Sequence, residues 1–183
     1  MNSKSQLTTV SKFLSLVLRH EPHRIGIALD EAGWTSVDEL LRKAAAAGCP
    51  FSRATLEEVV ANSDKQRFAF SEDGLHIRAN QGHSIEIDLD LPVLEPPDIL
   101  FHGTASRFVE SILSSGLERR ERHHVHLTQH RQTAVSVGQR YGEPVILRID
   151  AQAMFAEGHE FRCSANGVWL VEAVPTKFIQ VEP

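Results

Sequence analysis

The chain has 183 residues, 42% hydrophobic and 23% charged, enough for one medium domain or two small ones. Glycine, proline and aromatic contents are ordinary, which excludes collagen-like and low-complexity chains. The net charge of −5 argues against a broad basic face, so any nucleic-acid site has to be a local pocket. Residues 1–80 balance ten basic against ten acidic side chains, whereas residues 81–183 hold nine against fourteen. No stretch reaches the ~20 apolar residues that span a bilayer. The opening MNSKSQLTTVSKF lacks an apolar run with a small-residue cleavage site. Cys49 and Cys163 form no CxxC pair, so reduced thiols are expected. These features point to a soluble, cytoplasmic protein, with nothing to suggest an obligate dimer; a monomer is expected.

The first predicted element is a helix over 9–19, where Val10, Phe13, Leu14 and Val17 recur at helical spacing. Pro22 blocks its continuation and leaves Arg19 and His20 at its end. A second helix starts at the capping box Ser36/Glu39, and Gly48 and Pro50 stop it. A third starts near Ser52, with Leu56, Val59 and Val60 as buried candidates. Short strands at 67–70 and 75–78 flank the turn Glu72-Asp73-Gly74. Three helices and a hairpin are the layout of a winged-helix module. A further strand is expected at 85–91, where Ile85, Ile87, Leu89 and Leu91 alternate. Pro92, Pro96 and Pro97 then mark a stiff linker and the domain boundary.

The second half alternates apolar strands (99–104, 125–128, 145–150, 168–174, 177–181) with helices at 107–115 and 133–140. The fold class is α+β, with domains at 1–91 and 98–183 and residues 92–97 between them.

Five segments could carry chemistry. Arg19-His20 can hold an oxyanion and move a proton, although the helix macrodipole favours a basic pair there in any case. Arg67 opens a hairpin strand, where a charged residue normally faces solvent. RRERHHVHL (119–127) crowds three arginines and three histidines into an anion-binding lip, or is a solvated charge run. A zinc site there is disfavoured: His126 and His130 on a strand would stand about 13 Å apart, and no Cys or carboxylate completes a familiar set. RANQGHS (78–84) offers Asn80, Gln81 and Ser84 around Gly82, and FHGT (101–104) ends a buried strand.

Each signal is weak alone, but their joint order is specific. SKFLSLVLRH, IGIALDEAGWTSVDELL, KQRFAF, IRANQGHS, LFHGT with SILSSGL, RHHVHL and NGVWLVEAVP span almost the whole chain. In that order the sequence resembles the tRNA 2′-phosphotransferase family, which removes a splice-junction 2′-phosphate. The resemblance implies an N-terminal winged-helix lobe joined to a C-terminal ADP-ribosyltransferase-like NAD⁺ lobe. It implies an Arg-His-Arg-Arg catalytic set, matched here by Arg19, His20, Arg67 and Arg122, with Arg120 as the fallback for the fourth. It also implies NAD⁺ contacts at Asn80, Gln81, His83, Ser84, His102, Gly103, Thr104 and His126. The implied reaction transfers an internal RNA 2′-phosphate to ADP-ribose, with NAD⁺ as co-substrate, RNA as partner and no metal.

Two other functions fit parts of the pattern. An ADP-ribosyltransferase capping terminal phosphates of RNA or DNA would use the same NAD⁺ lobe and demand less of the arginine set. A winged-helix DNA-binding regulator would need a basic recognition helix, but residues 53–62 hold one arginine and two glutamates.

Overall fold

The computed structural model describes residues 3–63, 66–120 and 122–182; Lys65 of KQRFAF and Glu121 of RRERHHVHL lie outside them. The chain divides into two compact units, Met1–Asp90 and Leu91–Pro183.

The first unit opens with α1 (Ser3–Arg19), which buries Val10, Leu14, Val17 and Leu18 at helical spacing. It ends at Arg19, and a 3₁₀ turn, Pro22–Arg24, follows. Strand β1 (Thr35–Ser36) runs directly into α2 (Val37–Ala46), whose first turn is capped by Ser36 Oγ accepting from the Glu39 N–H. Helix α3 (Arg53–Ala61) is capped in the same way by Ser52, which accepts from the Thr55 N–H at 3.1 Å. Strands β2 (Phe68–Phe70) and β3 (His76–Ala79) pair antiparallel, and β1 adds to β3, giving the order β1-β3-β2. Leu14, Val17, Leu40, Leu56, Phe68 and Ile77 form the core between helices and sheet. Burying each such side chain stabilises by about 1.5–3 kcal/mol.

The strand expected at 85–91 does not form. Ile85, Ile87 and Leu89 are half-buried while Glu86, Asp88 and Asp90 are exposed, so the alternation is real. The segment joins no ladder: the Asp88 N–H donates to the Glu31 carbonyl at 2.9 Å, and Asp90 turns the chain at φ +49°. Alternation reports a two-sided environment, whereas a strand also needs a partner edge.

The second unit includes 92–97, held along it by the Leu94 N–H donating to the Phe161 carbonyl. Its elements are β4 (Ile99–Ala105), α4 (Ser106–Ser115), β5 (Leu117–Glu118), β6 (Val125–Leu127), α5 (Arg131–Gly138), β7 (Pro144–Asp150), α6 (Ala151–Ala156), β8 (Arg162–Cys163), β9 (Trp169–Val171), β10 (Ala173–Val174) and β11 (Ile179–Val181). They form antiparallel sheets in the orders β11-β7-β4, β6-β9-β8 and β10-β5. A bridge between Phe101 and Thr128 ties β4 to the chain leaving β6. The stretch 168–174, expected as one strand, splits at Glu172 because β9 pairs with β6 and β8 while β10 pairs with β5. A second core, built on Leu100, Leu127, Leu147, Ile149, Met154, Phe161 and Trp169, fills this unit. The fold is α+β with small antiparallel sheets. No helix among the described residues is long and apolar enough to cross a membrane.

Candidate active site

In the first unit, three separated segments converge on the end of α1. The Arg19 carbonyl accepts from the Ser84 N–H at 3.0 Å, and His20 Nδ1 shares a 2.8 Å hydrogen bond with Ser84 Oγ. The Arg19 guanidinium lies over the Phe68 ring, 5.8 Å from its centre, and Nη2 donates to the Arg67 carbonyl at 3.4 Å. Asn80 holds the same carbonyl from its backbone N–H at 2.9 Å, and its Nδ2 donates to the Gln66 carbonyl at 2.5 Å. Gln66 sits at φ +38°, a backbone region that non-glycine residues seldom adopt. The two Asn80 bonds and the Arg67 N–H donating to Ser63 Oγ at 3.3 Å hold that turn. Gly82 adopts φ +85°, and a Cβ there would lie 3.6 Å from Arg19 Nη1, so the loop passes directly beside the guanidinium.

This unit therefore brings together Arg19, His20, Arg67, Asn80 and Ser84. Arg19 and Arg67 are half-buried, and a guanidinium offers a planar fork of donors there. Gln81 is half-buried in the same loop. His83 is buried at 4% exposure and lies against Gly33. Ser63, Gln66 and Phe68 were not singled out by sequence. Ser63 and Gln66 act through a hydroxyl and a backbone carbonyl, which leave no residue-type signal.

In the second unit, β4 and β6 place His102 and His126 side by side. His102 Nδ1 lies 3.0 Å from the His126 carbonyl, which only accepts, so the ring proton sits on Nδ1. Burial pushes the His102 ring below its ordinary pKa and the Arg122 charge adds to this, against the opposing hydrogen bond to His126. His102 is therefore neutral near pH 7, with Nε2 as an acceptor. Arg122 Nη1 lies 3.5 Å from His126 Nδ1, the outer limit of a hydrogen bond. Arg120 turns elsewhere: its backbone is at φ +52° and its guanidinium lies over Phe108.

Gly103 and Thr104 lie next along β4. A Cβ on Gly103 would fall 1.8 Å from the Ala134 carbonyl oxygen, so the missing side chain admits the backbone of α5. Thr104 is buried at 6% exposure. Among the described residues, no three His, Cys, Asp or Glu side chains stand close enough to hold a metal ion.

Comparison with known proteins gives one family over almost the whole chain. The family model described as RNA 2′-phosphotransferase, Tpt1/KptA family, matches residues 5–173. A protein of Agrobacterium fabrum is 56% identical over 174 residues, covering 95% of this chain and 94% of its own length. One from Streptomyces griseus is 55% identical over 177 residues, covering 93% and 94%. A third, from Trichormus variabilis, is 52% identical over 172 residues, covering 94% of each. All three carry the name "Probable RNA 2′-phosphotransferase". The chain belongs to the RNA 2′-phosphotransferase, Tpt1/KptA family.

Proposed function

We infer that this chain is an NAD⁺-dependent RNA 2′-phosphotransferase, moving an internal RNA 2′-phosphate to ADP-ribose. The observation that carries the inference is the convergence of Arg19, His20 and Arg67, braced by Ser84 and Asn80, in a chain that matches the family over residues 5–173. We read the first unit as a winged-helix lobe, with three helices against a three-stranded sheet. We read the second as an ADP-ribosyltransferase-like lobe. The free cysteines Cys49 and Cys163 suit a reducing cytoplasm.

A 2′-phosphate beside a 3′-phosphodiester concentrates negative charge, and guanidinium groups hold such charge in fixed geometry. Arg19, Arg67 and Arg122 take that role. Asn80 Oδ1 is buried and has no hydrogen-bond partner among the described residues. It is an acceptor suited to a donor on NAD⁺. Neutral His102 offers a second acceptor, and Gln81, His83, Ser84, Gly103, Thr104 and His126 complete the proposed contacts.

In the first step a phosphate oxygen bonds to the ribose carbon that carries nicotinamide. Nicotinamide leaves with the bonding pair, which neutralises its own positive charge. This step mainly requires alignment. In the second step the ribose 2″-hydroxyl attacks phosphorus and loses its proton. The RNA 2′-oxygen leaves and gains one, releasing ADP-ribose 1″,2″-cyclic phosphate. Charge on the phosphoryl oxygens rises here, so the arginines matter most in this step. His20, oriented by Ser84, moves the proton.

The test is Arg122→Ala with 2′-phosphorylated RNA and NAD⁺. Overall turnover should fall by a factor of about 10²–10³, the typical effect of removing one preorganised donor. The 2′-phospho-ADP-ribosyl RNA should accumulate. Wild-type turnover without the intermediate would remove Arg122 from the site and direct attention to Arg120.

A further inference from the structure

The second unit holds a concavity of about 370 Å³ that the proposed site does not use. It is lined by Arg119, His123, His124, His159 and Arg162 together with the carboxylates of Glu160 and Glu172, and Val171 is its buried apolar residue. Val171 pairs with Val125, the residue before His126, so the cavity adjoins the strand carrying the proposed site. The chain couples the two directly: the Arg122 N–H donates to the Arg119 carbonyl at 3.0 Å. Arg122 thus reaches His126 while Arg119, at the other end of the same turn, lines the cavity.

The charges here have unequal freedom. Arg162 is committed, donating to Glu160 at 2.8 Å and to the Leu91 carbonyl at 3.1 Å. The exposed Arg119 guanidinium has no ion pair or hydrogen bond among the described residues. Burial and the charges of Arg162, His123 and Arg119 hold His124 below its ordinary pKa, against Glu172, so the ring stands in a net positive field.

We propose that this pocket is a second anion subsite, which takes a backbone phosphate of the RNA next to the reacting nucleotide through Arg119, His123 and His124. It rests on the functional reading above. RNA is favoured over the pyrophosphate of NAD⁺ because Arg119 and Glu172 are exposed and Val171 is the only apolar lining residue. Such a surface suits a passing polymer backbone and offers little to a flat aromatic base.

The experiment measures binding of a short single-stranded RNA with one internal 2′-phosphate to the full chain, without NAD⁺, across a salt series. Arg119→Ala should weaken binding about two- to fivefold, as expected for an exposed charge contact. The slope of log affinity against log salt should become shallower by about 0.7, the contribution of one phosphate contact to a single strand. Arg119→Lys should restore the slope, and a nucleoside 2′-phosphate, which carries no backbone phosphodiester, should not respond to either variant. The melting temperature of both variants should match wild type, because Arg119 has no partner among the described residues to lose. An unchanged slope with the longer RNA overturns the subsite, and so does weakened binding of NAD⁺ with RNA binding unchanged. Neither result depends on turnover. Failure of the wild type to strip the 2′-phosphate would instead remove the functional reading.

Discussion

His20 is an exposed imidazole at the end of a helix, and one hydrogen bond to Ser84 fixes one of its two ring nitrogens. That bond orients the ring. Ser84→Ala removes the brace and leaves His20 itself in place. A hydrogen bond contributes about 0.5–1.5 kcal/mol net, so kcat should fall by a few-fold to about tenfold. The KM for RNA should hardly move, because the arginines proposed to bind the phosphate are untouched. Steady-state kinetics of the variant check this: a change in KM alone would place Ser84 in binding rather than in orienting His20. At this scale the sequence was legible in residue type and silent on partners. LRH and KQRF marked Arg19, His20 and Arg67, but nothing in either motif revealed that Asn80 clamps the Gln66–Arg67 backbone. That clamp joins residues 14 apart through a backbone carbonyl, which every residue possesses.

At the scale of elements, local patterns fixed what local energetics decide. Ser36 and Ser52 cap α2 and α3 as their positions suggested. Gly116, at φ +88°, closes α4. The shortest elements were not legible. The six-residue α6 is too short to show periodicity, and its cap, Asp150, reads in sequence as the end of strand β7. Strand β1 is two residues long and exists because β3 offers it an edge. Gly103 shows how one residue can serve an element: the resemblance implied an NAD⁺ contact there, and the structure fills the Cβ position with the α5 backbone. Gly103→Ala must push α5 away from β4, at about 1–3 kcal/mol for overpacking. The melting temperature should fall by about 2–4 °C for each kcal/mol lost. An unchanged melting temperature would show that α5 does not sit as close to β4 as its backbone indicates.

At the scale of the whole molecule, each unit carries its own core and its own group of conspicuous residues. Arg19, His20, Arg67, Asn80 and Ser84 belong to the first; His102, Arg122 and His126 belong to the second. Two cores were legible because apolar periodicity changes character across the proline-rich stretch. The family was legible because seven motifs stand in one order, and the match over residues 5–173 agrees with that reading. The central claim is that both groups serve one reaction on RNA and NAD⁺. The most direct measurement incubates the purified chain with a 2′-phosphorylated RNA, with and without NAD⁺, and separates the products. The account predicts loss of the 2′-phosphate only when NAD⁺ is present, with nicotinamide and ADP-ribose 1″,2″-cyclic phosphate released in equal amounts. Removal of the phosphate without NAD⁺, or consumption of NAD⁺ with the 2′-phosphate left on the RNA, would contradict it.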